Sequence, residues 1–305
     1  MIKAGTAPVL AGCMLAGLFA GCGDKGKDNE TGNGEGATAL VITAIPDEKV
    51  SDQEARFQAL ITYLAGQLGI RVEFSISKDY AAAVQRFANG EVHMAWFGGL
   101  TGVQARDRVE GARAIAQGSA DPQFKSYFIA NASTGLGRGD EFPAEAIKDL
   151  TFTFGSPSST SGRLMPDYFI RKNTGKPTAE FFSREVQFQK SGGHVATAEA
   201  VQAGSVQVGV LNFKTYDSMV ADGRLDPGKA PIIWITPDYA DYNLTVHGDL
   251  DNYFGDGFID KLQKVLVECS DQEVLKAFNR EALIPASNDD FAGIEAVAKE
   301  LGLMR

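Results

Sequence analysis

The sequence predicts an α/β protein built from two doubly wound domains that share a hinge. Three observations carry this. Short apolar or alternating runs, the strand signal, alternate with longer runs of helical period along almost the whole chain. Gly, Asn-Gly or Gly-Gly punctuates most of the junctions. At 305 residues the chain is long enough for two domains.

The elements follow in order. Residues 39–44 (ALVITA) form a continuous apolar run, expected as a buried strand. Residues 52–68 have helical period, with Phe57, Leu60, Ile61, Leu64 and Leu68 on one face and Gly69 as the stop. Residues 71–77 alternate as a strand. Asp79 caps a helix to Ala88, which Asn89-Gly90 ends. Residues 92–97 are the next strand, 100–108 a helix, and 112–117 and 126–130 two strands.

A short helix is expected at 143–150, a strand at 151–154, a helix at 163–172 and a partial strand at 181–189. Then come a helix at 195–203, a strand at 206–211, a helix at 214–222, and strands at 231–236 and 243–247. The end reads as helical at 254–268, 272–279 and 291–301, with no strand after residue 250. The sheets are expected to be mostly parallel. The expected division is residues 39–130 with 243–305 as lobe 1, and residues 131–242 as lobe 2.

The N-terminus reads as a targeting segment. Lys3 precedes an apolar run too short to span a bilayer comfortably, ending in Leu18-Phe19-Ala20-Gly21-Cys22. Residues 1–21 are expected to be a lipoprotein signal peptide, with Cys22 lipidated at the mature N-terminus. Leu10-Ala11-Gly12-Cys13 is a competing match with less apolar length before it. An ordinary signal peptide with an incidental cysteine is the plainer alternative. Residues 22–38 are polar and Gly-rich, a flexible tether. Cys269 then stands alone as a half-buried helical residue, with no internal disulfide expected.

The net charge is −10, with no basic block of the kind that tracks nucleic acid. An anion site in such a protein must be local, made of dipoles and hydroxyls. Residues 151–162 (TFTFGSPSSTSG) offer one: a β-prone run, a Gly-Ser-Pro turn, then Ser158, Ser159, Thr160, Ser161 and Gly162 opening a helix. The first N–H groups of a helix lack intrahelical partners and carry partial positive charge. Hydroxyls add donors. A plain N-cap is the competing reading.

Further cleft loops are expected at Lys78-Asp79-Tyr80, at Trp96-Phe97-Gly98-Gly99-Leu100-Thr101, with Thr101 as a donor, and at Ser191-Gly192-Gly193-His194. Trp96 could equally be core. Residues 236–242, with Tyr239 and Asp241, fall at the second crossover and read as hinge and cleft wall. With three histidines and no His-x-x-x-His or Cys-x-x-Cys pair, no zinc site is expected. No phosphate loop or Gly-x-Ser-x-Gly elbow occurs. No metal, cofactor or catalytic residue is therefore assigned.

Taken together, these segments resemble the phosphate/phosphonate/phosphite-binding periplasmic proteins of ABC transporters, from about Leu40 to Leu301. The motifs are Gly155–Gly162, Gly192-Gly193-His194 and Lys78-Asp79-Tyr80. Within that family the likeness is to the selenate ABC transporter substrate-binding branch. It rests on Ala44-Ile45-Pro46-Asp47, on Trp96 to Arg106 and on Ser158–Pro166.

The resemblance implies a two-lobed, type 2 (Venus-flytrap) periplasmic binding protein. Tyr80, Ser159, Thr160, Ser161 and His194 would face a small tetrahedral oxyanion, and a membrane permease would be the partner. A lipid-anchored monomer in the periplasm or at the cell surface is expected. The strand after the Gly-Gly-His helix ends in Leu211-Asn212 without a carboxylate, which favours a ligand with acceptors only, unless Asp241 supplies the missing acceptor. An enzyme on the same fold, using Ser159 or His194 on a phosphate or sulfate ester, is the alternative. A surface sensor or adhesin is a third reading.

Overall fold

A computed structural model describes residues 38–47 and 50–304 of the chain. The signal-peptide, tether and lipidation expectations for residues 1–37, Cys13 and Cys22 included, lie outside the described residues.

Eleven strands among the described residues form two sheets. In chain order they are β1 (Leu40–Ala44), β2 (Val72–Phe74), β3 (Met94–Phe97), β4 (Arg113–Gly118), β5 (Ser126–Ala130), β6 (Phe152–Phe154), β7 (Gln187–Phe188), β8 (Val208–Asn212), β9 (Ile232–Ile235), β10 (Asn243–Val246) and β11 (Leu283–Pro285). The first sheet has the order β11-β4-β10-β3-β1-β2, and the second β7-β6-β8-β5-β9. Helices cover both, giving a two-lobed α/β fold.

Local sequence explains the scaffold. β3 is buried at every position, as a strand covered on both faces must be. The helix Val50–Leu68 turns Phe57, Leu60, Leu64 and Leu68 inward, and Gly69 (φ 72°) ends it in a left-handed conformation that suits glycine. Ile61 is only half-buried at the edge of that stripe. Asp79 caps the helix Tyr80–Ala88, its Oδ1 accepting from Ala82 N–H at 2.7 Å.

Several expectations are corrected. The sheets are mixed: four strand pairs are parallel and five antiparallel. β10 returns from the second lobe and inserts between β3 and β4, antiparallel to both. A strand does follow residue 250: β11 is three residues long and ends in Pro285 on a sheet edge, where the missing N–H is tolerated. β5 pairs with β8 and β9, so residues 126–130 belong to the second sheet rather than to lobe 1.

The expected helix at 254–268 is divided by Gly255 and Gly257, both at positive φ, into Leu250–Phe254 and Phe258–Val267. Residues 181–189 are strand only at β7. Cys269 is buried and lies just past the helix end.

The two crossovers between sheets run side by side. Phe124 and Tyr239 exchange both backbone hydrogen bonds at 2.9 Å, and Asp241 N–H donates to the Asp121 carbonyl at 3.1 Å. Behind them, Arg280 donates to both carboxylate oxygens of buried Asp121, Nε to Oδ2 at 2.9 Å and Nη2 to Oδ1 at 2.6 Å. Its guanidinium lies 4.9–5.6 Å from the rings of Tyr242, Phe124 and Trp96. A buried, bidentate pair against aromatic faces fixes the crossover with directional contacts.

Candidate binding site

The hydroxyl segment has an unusual local geometry. Ser159 is the N-cap, its Oγ accepting from Gly162 N–H at 3.0 Å, so this hydroxyl does serve as a plain cap. Residues Thr160–Leu164 then form a π turn that runs into the helix Met165–Thr174. The expected helix at 163–172 therefore starts three residues earlier. Such widened turns recur at functional positions. Gly155 N–H donates to the Gly162 carbonyl at 2.8 Å, and a side chain on Gly155 would press on the Gly162 backbone at 3.4 Å.

Thr160 reaches across the cleft. Its Oγ1 accepts from Leu100 N–H at 2.9 Å, and Asp241 Oδ1 accepts from Gly99 N–H, also at 2.9 Å. The first two N–H groups of the helix Gly99–Arg108 are thus taken by a second-lobe hydroxyl and a hinge carboxylate. The expected donor Thr101 is spent within its own helix start, on the Gly98 carbonyl at 3.1 Å.

His194 is the second residue of the helix Gly193–Gln202. Its backbone N–H donates to the Asp47 carbonyl of the first lobe at 3.2 Å, and a side chain on Gly193 would meet that carbonyl oxygen at 2.5 Å. Only glycine permits this approach. The Nδ1 of His194 accepts from Asn212 N–H at 3.3 Å. Burial lowers the imidazole pKa to about 4, against a smaller opposite effect of Asp47. The ring is therefore neutral with its proton on Nε2.

Three buried polar atoms converge here without a hydrogen-bond partner among the described residues: His194 Nε2, Tyr80 Oη and Asp241 Oδ2. Burial and the nearby carboxylates of Asp47 and Asp241 push the Tyr80 phenol well above its usual 10, while the Ser159 hydroxyl acts the other way. Ser159 also links the group to His194: a side chain on Gly162 would meet Ser159 Oγ at 2.9 Å and His194 Cε1 at 3.1 Å. Burial raises the Asp241 carboxyl to about 7, opposed by donors from Gly99, Thr160 and Ser161. A buried polar atom without a partner is costly, so three in one place mark a site that something else completes.

The other candidates fall into place around this group. Ser161 is buried, and its carbonyl accepts from Ser126 Oγ at 2.7 Å; Ser126 Oγ lies 2.6 Å from Tyr239 Oη. Tyr239 thus braces the wall behind Ser161 and is not a free donor. Ser158 is half-buried and Lys78 exposed. Trp96 lies in the core, stacked on Tyr242 at 5.3 Å, and Phe97 packs edge-on against Phe87 at 5.6 Å. Phe97 has no polar group to offer the three open atoms.

Asn212 and Asp47 were not expected as site residues. Asn212 caps the next helix through Thr215 N–H at 2.6 Å, sets the His194 tautomer through its own N–H, and donates through Nδ2 to Tyr242 Oη at 3.1 Å. An Asn as the last residue of an apolar strand was the available signal.

The family model for ABC transporter phosphonate periplasmic substrate-binding proteins matches residues 42–291. The chain belongs to this family. One relative is the probable ABC transporter phosphite binding protein PhnD1 of Prochlorococcus marinus (strain MIT 9301). It is 34% identical over 272 residues, covering 87% of this chain and 91% of that protein. Another is the phosphate-import protein PhnD of Mycolicibacterium smegmatis, 27% identical, covering 96% of this chain and 95% of that protein.

The structure of PhnD1 from Prochlorococcus marinus in complex with methylphosphonate superposes with a TM-score of 0.81 at 33% identity. It covers 87% of this chain and 98% of that one. This family member is accordingly a periplasmic substrate-binding protein that captures a small ligand and works with the membrane permease of an ABC importer. Its relatives are binding proteins rather than enzymes.

Proposed function

We propose that the ligand is a small phosphorus oxyanion carrying one proton, phosphite or methylphosphonate in kind, enclosed between the lobes. The supporting observation is the chemistry of the three open atoms. His194 Nε2–H and Tyr80 O–H are donors that suit the charged oxygens of an anion. Asp241 Oδ2 is an acceptor when ionised, and suits a ligand O–H. Asp241 thus supplies the acceptor that the segment after β8 lacks.

Selenate and sulfate have no proton to give, and face an ionised Asp241 with acceptors only. The relatives named for phosphite, phosphate and methylphosphonate point the same way. The likeness to a selenate branch rests on sequence motifs alone.

Closure removes the ion from water, and Thr160 and Asp241 close the cleft by capping the helix Gly99–Arg108. Tyr80, Ser159, Ser161, His194 and Asp241 form the ligand-facing set, with Thr160 at the lobe junction. The lobes divide at the paired crossovers, near residues 119–125 and 236–242. The protein acts as a monomer, anchored to the membrane through a lipid on Cys22. A calorimetric panel at pH 7 tests the ligand class: phosphite and methylphosphonate should bind more tightly than sulfate or selenate. Equal or reversed affinities would sink the assignment.

A further inference from the structure

Away from the open atoms, the two lobes touch again at Asn279 and Ser218. Asn279 is the one non-glycine residue among those described with a left-handed φ, 53°, at the end of the short 3-10 turn Lys276–Phe278. Asn tolerates that conformation better than most residues. In it, the side-chain Nδ2 donates to Ser218 Oγ at 3.1 Å. Ser218 lies on the helix Phe213–Ala221, which follows β8 of the second sheet. Asn279 precedes β11 of the first.

Its neighbour Arg280 holds Asp121 at the first crossover, so the base of this contact is fixed to the hinge. Both residues are half-buried and line a groove of about 540 Å³ between the lobes, together with Lys214 and Lys276. The bond therefore spans an open seam, where breaking it leaves both groups able to meet water.

We propose that the Asn279–Ser218 bond is a closing latch: it favours the closed arrangement and slows release of the captured anion without selecting which anion is held. The proposal rests on the ligand-capture reading above. Neither residue is among the groups assigned to the ligand. The bond exists alongside the cleft contacts Leu100–Thr160, Gly99–Asp241 and His194–Asp47, all made in the same closed arrangement. The proposal requires that lobe opening about the paired crossovers separate the helix Phe213–Ala221 from the turn at 276–279.

Two variants test this in the full-length protein. Ser218→Ala removes the acceptor, and Asn279→Gly removes the donor while keeping a residue at ease with positive φ. A single neutral hydrogen bond of this kind corresponds to about a 2- to 12-fold change in an equilibrium. Stopped-flow release of phosphite and of methylphosphonate should speed up by that factor in each variant, equally for both ligands. The double variant should be no worse than the worse single one. Paired spin labels on the helices Val50–Leu68 and Phe213–Ala221 should show the ligand-free lobes shifted toward wider separation, with Tm within about 2 °C of the parent.

Unchanged release and unchanged separation would overturn the latch, as would a factor that differs between the two ligands. If neither anion binds the parent protein, the ligand reading fails, while the spin-label distances still decide the latch.

Discussion

Replacing Asp241 by Asn should exchange the ligand preference of the site. The Asn amide oxygen can keep the 2.9 Å bond from Gly99 N–H, so closure is preserved. Its NH2 then stands where Oδ2 now has no partner. A phosphite or methylphosphonate O–H loses an ionic acceptor. A charge-assisted hydrogen bond contributes about 1.5–3 kcal/mol, so the loss is about 10- to 150-fold.

Sulfate and selenate move the other way. Burial puts the wild-type carboxyl at about 7, so at pH 7 about half of it must take up a proton before an anion with acceptors only can face it. That costs about 0.4 kcal/mol, and Asn removes the penalty, for about a twofold gain. Titration calorimetry at pH 7 on wild type and Asp241→Asn, with methylphosphonate, which still carries its proton on much of the ligand at that pH, and selenate, measures both changes. Equal losses for the two anions would refute the reasoning, because Asp241 would then be acting only as a helix cap.

Other variants separate closure from recognition. Thr160→Val leaves Leu100 N–H unpaired only in the closed protein, at a cost of about 1–3 kcal/mol, so binding of every anion should weaken roughly tenfold or more with Tm unchanged; calorimetry and a melting curve check this. Gly98→Ala places a methyl group 3.0 Å from Thr160 Oγ1 and 3.2 Å from Asp241 Oδ1, which should wedge the cleft and raise every Kd while leaving the lobes folded; fluorescence titration and circular dichroism report the two.

His194 gives a stability signature. With a folded pKa of about 4 against 6.5 unfolded, the unfolded chain binds the proton first. Stability should therefore fall as pH drops from 6.5 toward 4, by up to about 3 kcal/mol, and His194→Gln should flatten that slope in urea titrations.

Local signals carried much of the site. The run from Gly155 to Gly162, the Asp79 cap before Tyr80, and Gly192-Gly193-His194 are each written in contiguous residues, and each has its local geometry from turn and helix-start chemistry. What joins them is not local. Asp241 meets Gly99 across 142 positions, and Arg280 meets Asp121 across 159. Nothing in the sequence around Arg280 distinguishes it from a solvated surface arginine.

The antiparallel insertion of β10 was hidden for the same reason, since a strand's direction depends on the path that returns it. β11 is too short to show a period. Trp96 and Phe97 have a composition that suits both a cleft and a core, and packing placed them in the core.

In the proposed complex Asp241 and the ligand hold one proton between them. Calorimetry at pH 5.5 in buffers of different ionisation heat counts protons exchanged on binding. At that pH free Asp241 is protonated, since burial holds its carboxyl near 7, and phosphite is mostly a monoanion. The account predicts release of about one proton when phosphite binds and none when sulfate binds. No proton release with phosphite would contradict it.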